Sequence, residues 1–268
     1  FDVETGRELW RTPLMADGTP IGAAPWGGFA VDAARNRAYV TTGNPRPPLY
    51  GAGRPGNNEH ANSVVCVDLD TGAIAWAWQE VRHDLWNFDI ASPPVLTTIE
   101  VGGVRVDVVA APTKICTTVL LERDTGLPVF DQRRRLAQPS ALLGEMPASY
   151  QPDPQLPEPF ADVAFGPDEV TDIAAANRAD VEWQIANATW GWFATAEVGR
   201  PLVMFGLHGG AEWPGAAMDH DTGWLYVPIN RIPWKIRLYM LAREDGLPPS
   251  SASDLYLERC ARCHGASR

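Results

Sequence analysis

Between residues 62 and 89 the chain alternates like a β-hairpin and then stops alternating. Val64 to Val67 form an apolar run, Asp70-Thr71-Gly72 supplies a turn, and Ile74, Trp76 and Trp78 return with period two. That spacing is expected of a strand with one face buried. Beyond it His83, Asp84, Trp86, Asn87 and Asp89 crowd polar and aromatic groups at a strand end, the place where rigid β scaffolds carry their chemistry.

The hairpin is one of a series. Asp2-Val3-Glu4-Thr5-Gly6 through Trp10 and Asp68-Leu69-Asp70-Thr71-Gly72 through Trp76 share Asp, Thr, Gly and Trp at identical offsets. Glu122-Arg123-Asp124-Thr125-Gly126 through Phe130 repeats the pattern with Glu for Asp and Phe for Trp. A second repeat runs from Val31-Asp32 to Tyr39-Val40 and again from Met218-Asp219 to Tyr226-Val227. Four-stranded antiparallel sheets that cannot bury both faces alone become stable when stacked radially, so the pattern predicts an all-β fold, part of a β-propeller. Two nearly whole blades are expected at about 26–79 and 93–130, with a third around 213–241, too few to close a ring.

From 131 to 188 the pattern lapses. Seven prolines between Pro139 and Pro167 argue against ladder pairing and predict an irregular excursion. A short helix is expected to start at Pro167-Asp168-Glu169, with Val170, Ile173 and Asn177 on one side. The blades are assigned to 1–242, a Gly/Pro linker to 243–251, and a last unit with a helix from Ser253 to 252–268.

At 268 residues, 45% hydrophobic and 21% charged, the composition is that of an ordinary globular protein. The formal net charge of -11 disfavours nucleic acid or an anionic membrane as partner and suits a basic redox partner. No apolar run approaches the ~18 residues of a transmembrane helix. Phe1 opens in mid-motif, which suggests that an upstream segment precedes it. Cys66 and Cys116 each sit in an apolar run and are expected to be small buried hydrophobes. Cys260-Ala261-Arg262-Cys263-His264 has the spacing of c-type haem attachment, two thiols for thioethers and an imidazole for iron. Zinc binding by the same residues lacks a nearby fourth ligand. Paired Asp-Thr-Gly copies also mark aspartic proteases, but three copies in register with blade aromatics fit turns better.

Several stretches together carry a family resemblance. Trp26-Gly27-Gly28-Phe29-Ala30-Val31-Asp32, Thr42-Gly43-Asn44-Pro45, Arg54-Pro55-Gly56-Asn57, His83-Asp84-Leu85-Trp86-Asn87-Phe88-Asp89, Thr113-Lys114 and Gly209-Gly210-Ala211-Glu212-Trp213 resemble, in order and spacing, the signatures of the PQQ-dependent quinoprotein dehydrogenases. The match covers about 1–241, and the end resembles the start of a cytochrome c domain, as in quinohaemoprotein alcohol and glucose dehydrogenases.

The resemblance implies an eight-bladed propeller holding pyrroloquinoline quinone beside calcium or a lanthanide, with haem c as electron outlet. It implies that Trp26 is the flat apolar floor under the quinone, that Asn44 gives the metal an amide oxygen, and that Lys114 faces the quinone oxygens where negative charge develops. Trp213 would line the same cavity. A blade-core tryptophan, a turn asparagine and a solvated lysine are the ordinary alternatives for Trp26, Asn44 and Lys114. The implied reaction oxidises a small alcohol or sugar hydroxyl, then passes electrons to the haem of Cys260, Cys263 and His264 and on to a cytochrome or membrane quinone, in the periplasm.

One position departs from the family. Where it carries its catalytic aspartate this chain has Asn87, which can donate an oxygen to a metal and cannot act as general base. Asp89, two residues on, would point the same way as Asn87 if the segment were extended. Three outcomes stay open: Asp89 takes over the base role, it only binds metal, or the site is catalytically weak. Asp84 is expected to be structural. The competing functions are a scaffold propeller that lost its base and a plain electron-transfer cytochrome.

Overall fold

The Asp-Thr-Gly turns at 70–72 and 124–126 each receive an indole from an earlier repeat, whereas Gly223 in the third copy has open space around it. In the computed structural model, which describes residues 1–15, 22–162, 164–240 and 256, the Trp10 Nε1–H donates to Leu69 O at 2.8 Å and that of Trp76 to Arg123 O at 3.0 Å. Gly72 and Gly126 lie at φ +73° and +70°, where a Cβ is strained. A Cβ there would also run into the six-membered rings of Trp10 and Trp76 respectively. Glycine is thus required twice over, by the turn and by the indole that covers it.

The first blade is a four-stranded antiparallel sheet of β1 (Phe29–Asp32), β2 (Arg37–Thr41), β3 (Ser63–Asp68) and β4 (Ile74–Gln79), in the order β1-β2-β3-β4. The second comprises β5 (Val95–Val101), β6 (Val104–Pro112) and β7 (Thr118–Glu122), with a Leu121–Pro128 bridge beside it. Their facing sides bury Tyr39, Val64, Cys66, Ile90, Val109, Ala111, Val119 and Leu121. At the rim Arg123 pairs with Asp32 at 2.9 Å, and Arg35 with Asp107 at 2.8 Å and Asp124 at 2.9 Å, tying one blade to the next. Both expected buried thiols, Cys66 and Cys116, are buried and free.

The excursion is more regular than the prolines predict. β8 (Gln132–Leu136) and β9 (Tyr150–Pro154) pair over five residues, Arg134 opposite Pro152 and Gln132 opposite Pro154. Prolines two apart share one phase of a ladder, and a two-stranded ribbon leaves one phase facing outward, so no N–H is missed. The helix expected from Pro167 is a single 3₁₀ turn, Pro167–Glu169, ended by extended Val170. Val170 is buried and Ile173 is 91% exposed, so the predicted common face does not form. The helix itself, α1 (Ala175–Ala186), starts eight residues later and anchors through Ile185 in a cluster with Phe165, Val203 and Phe205.

The third expected blade is a long bent hairpin. β10 (Leu202–Met204) pairs with β15 (Trp234–Ile236), β11 (Gly209–Ala211) with β14 (Ile229–Arg231), and β12 (Ala217–Asp219) with β13 (Trp224–Tyr226), each pair nested inside the last. The Met218-to-Tyr226 echo is the tip of that hairpin, and the segments outside it pair with each other instead of forming a four-stranded meander. The expected linker 243–251 and the unit 252–268 with Cys260, Cys263 and His264 lie, Tyr256 apart, outside the described residues. Among the described residues no helix is long and apolar enough to cross a membrane.

Candidate quinone and metal site

Antiparallel pairing brings the start of β1 and the ends of β2, β4 and β6 to one edge of the two sheets. Trp26 precedes β1, Asn44 follows β2, residues 83–89 follow β4, Lys114 follows β6, and Glu212-Trp213 follow β11. The Ala211 N–H donates to Thr113 O at 3.0 Å, and the backbone of Gly210 lies against that of Lys114 with no room for a Cβ. This contact docks the hairpin onto the edge.

Asp89 is the hub. Its Oδ2 accepts from Trp26 Nε1 at 3.1 Å and from the Asn44 N–H at 3.2 Å, and its Oδ1 stands 3.7 Å from Lys114 Nζ. A Cβ on Gly43 would sit 2.8 Å from both Asp89 Oδ2 and Trp26 Nε1, so only glycine lets the indole, carboxylate and backbone meet. Lys114, one of two lysines in the chain, is 3% exposed. Its ammonium donates to Asn87 O at 3.2 Å, Asn87 Oδ1 at 3.4 Å and Leu207 O at 3.5 Å. Lys114 is buried and Trp26 is 47% exposed, so a solvated lysine and a blade-core tryptophan do not describe these two residues; Asn44 is buried as well.

The segment is not extended: Asn87 lies at φ +63°. Asn87 and Asp89 nevertheless both reach Lys114, because a turn held by Asp84 redirects them. Asp84 accepts from the N–H groups of Trp86 at 2.7 Å and Phe88 at 2.9 Å and from Asn62 Nδ2 at 2.9 Å, a structural role. Trp86 is 1% exposed, donates to Ala194 O at 2.7 Å and packs edge-on to Phe193. It anchors the segment in the apolar cluster with Phe88 and Phe193.

Glu212, in the Gly209-to-Trp213 stretch, joins the same cluster. Its Oε1 lies 3.8 Å from Lys114 Nζ, and both oxygens are buried without a hydrogen bond. Burial pushes its carboxyl up to about 7, with Lys114 opposing. The signal in the sequence was a carboxylate directly after the apolar Gly-Gly-Ala of β11. Trp213 lies with its ring 5.9 Å from that of Trp26, tilted by 52°. Both tryptophans are about half exposed, so the cluster forms an open face where an enclosed cavity was expected.

The residues fit a hard cation and a planar acceptor. Asp89 Oδ1 and both Glu212 oxygens are buried without hydrogen-bond partners among the described residues, a costly state for a folded chain. No group of three His, Cys, Asp or Glu side chains there is placed to hold a metal. A cation would therefore depend on amide oxygens from asparagine beside Asp89, an oxygen-only set suited to calcium or a lanthanide.

Trp26, Asn44, Asn87, Asp89, Lys114, Glu212 and Trp213, gathered at one edge of stacked antiparallel sheets, are the arrangement of a quinoprotein propeller. The profile of the family described as glucose/ethanol/alcohol dehydrogenase, beta-propeller domain, matches residues 1–258, and the chain belongs to that PQQ family. It is similar to quinoprotein glucose dehydrogenase of Escherichia coli K12, 30% identical over 95% of this chain and 33% of the relative. Glycerol dehydrogenase large subunit of Gluconobacter oxydans 621H is 28% identical over 92% of this chain and 35% of its own. The chain thus spans about a third of these relatives' length. Among solved structures, a europium-containing methanol dehydrogenase matches with TM-score 0.56, at 19% identity over 85% of this chain and 33% of that one. Quinohemoprotein alcohol dehydrogenase from Comamonas testosteroni matches with TM-score 0.52, at 22% identity over 80% and 26%. At these identities the structural matches speak for the fold alone.

Proposed function

We propose that this chain supplies one side of the quinone and metal site of a PQQ-dependent dehydrogenase acting on an alcohol or sugar hydroxyl. The observation that carries it is the meeting of Trp26, Asn44, Asp89 and Lys114, from four separate strand ends, within one hydrogen-bonded cluster. PQQ beside calcium or a lanthanide, when bound, would supply the two-electron acceptor and a Lewis acid. Trp26 would give the ring its apolar floor, tilted Trp213 would limit how far it slides, and Asn44, Asn87 and Asp89 would offer oxygen to the metal. Lys114, buried and fixed by three oxygens, would stabilise negative charge developing on the acceptor more strongly than a solvated ammonium.

Asn87 cannot accept a proton, so in this proposal the substrate hydroxyl passes its proton to Asp89 at Oδ1, the oxygen left without a hydrogen bond. Glu212, whose carboxyl burial pushes upward, would be a second proton store beside Lys114. Transfer of electrons to a c-type haem at Cys260, Cys263 and His264, onward passage to a cytochrome or membrane quinone, and export to the periplasm belong to the same proposal. They rest on the haem-attachment spacing.

Reconstitution of the full-length protein with PQQ and calcium, and separately with a lanthanide, tests it through dye reduction by alcohols and sugars. Turnover with either metal is expected. Quinone binding without turnover under any metal would favour the scaffold propeller. The reduced absorption spectrum checks the haem independently.

A further inference from the structure

The buried pair His83 and Glu145 plays no part in the site described above, yet it ties the proline-containing excursion to the start of the segment that carries Asn87 and Asp89. Their side chains are 1% and 0% exposed, and His83 Nε2 lies 2.7 Å from Glu145 Oε1. His83 Nδ1 lies 2.7 Å from Gly56 O, and the other carboxylate oxygen of Glu145 accepts from the Gly51 N–H. Both ring nitrogens face oxygen atoms, so the two contacts together fix the orientation of the ring. A Cβ on Gly51 would stand 2.5 Å from His83 Nε2, which makes glycine part of the same fitting. His83 itself is held at φ +50°, a conformation that persists in a non-glycine residue only where its surroundings fix it.

From this point the chain has little freedom. The carbonyl of the next residue, Asp84, accepts from Arg54, whose guanidinium also donates to Asn58 Oδ1 at 2.6 Å and Pro47 O at 3.1 Å. The Asp84 carboxylate then holds the N–H groups on both sides of Asn87. The His83 ring is thus joined through one hydrogen-bonded turn to the segment that carries Asn87 and Asp89.

We propose that Glu145 is a positioning residue: through His83 it sets where the Asn87 and Asp89 oxygens stand, and thereby the affinity of the site for a hard trivalent or divalent cation. This rests on the metal reading of Asp89 given above. The test uses the full-length apoprotein with Tb3+ as the probe, its emission sensitised by the tryptophans of the site, and amide hydrogen exchange across residues 83–89.

Glu145→Ala is expected to weaken Tb3+ binding by about 10- to 100-fold, the usual size of an outer-shell effect, and to speed exchange at Trp86 and Phe88. Glu145→Gln is expected to fall between it and wild type, because one amide oxygen cannot serve both the imidazole and Gly51. His83→Asn should match Glu145→Ala and stands in for it if that variant does not fold. A lowered melting temperature with unchanged Tb3+ affinity and unchanged exchange at 83–89 would overturn the proposal, leaving the pair a stabilising contact only. Asp89→Asn separates the two levels. If it binds Tb3+ like wild type, the metal reading fails; if it loses Tb3+ while Glu145→Ala keeps wild-type affinity, the positioning role alone fails.

Discussion

Asp89 carries more of the site than any other side chain, since an indole, a backbone N–H and an ammonium all converge on it. Asp89→Asn keeps the shape and removes the proton acceptor together with a charged oxygen offered to the metal, so it is compared at saturating metal. We expect kcat of the reconstituted enzyme to fall about 10²- to 10⁴-fold, the usual loss for a general base, with quinone still quenching Trp26 fluorescence. Loss of less than tenfold would move the base role elsewhere, with Glu212 the next group to change. At this scale the sequence was informative where chemistry is written in one residue. Trp26, Asn44, Lys114 and Asp89 were all marked by motif before any geometry. Glu145 was not, because its partner His83 is far away in the chain and only tertiary packing brings a carboxylate to an imidazole.

At the scale of strands and turns, the Asp-Thr-Gly repeats marked the hairpins because local turn chemistry and a period-two apolar pattern agree there. The 131–188 excursion and the third blade were misjudged for a common reason. A proline is harmless in the outward phase of a two-stranded ribbon, and short three-residue strands such as β10 and β11 carry too little alternation to announce their partners. The turn glycines give a sharp prediction. Gly126→Ala must adopt φ +70° and also intrudes on Trp76, so it should destabilise by more than the ~1 kcal/mol of a helix or turn glycine alone. Gly6→Ala, at φ +68° with open space around it, should cost only about that amount. Paired urea titrations compare the two, and equal losses would refute the role of the indole.

For the molecule as a whole, buried carboxyl groups set opposite limits on pH. Burial pushes Asp32 up, but the guanidinium groups of Arg123 and Arg35 more than offset this and hold it below 3.8. Asp107 is held low by Thr98 and Arg35. For such groups the unfolded chain binds the proton first, so their stabilisation is complete above the ordinary carboxylate range and is lost as pH falls through the folded values. Arg123→Met should therefore shift the acid unfolding midpoint upward, as followed by circular dichroism.

Glu80 behaves in the opposite sense. Burial drives it up to about 8, with hydrogen bonds from Thr113 and Thr117 opposing. The folded state keeps a proton there that the unfolded chain gives up near 4.5, so stability is full at acid pH and declines from there to about pH 8. Glu80→Gln should flatten that decline, raising the melting temperature at pH 8 relative to wild type and not at pH 4. An unchanged slope would show that Glu80 is ionised in the fold.

The indoles of Trp10 and Trp76 make the same fitting with Gly72 and Gly126, and this makes the seams interchangeable. A chimera in which residues 11–76 are excised, so that the Phe1-to-Trp10 turn runs directly into the unit beginning at Ala77, would present an identical coupling to its neighbour. A cut placed elsewhere would strand an unmatched ring at the joint.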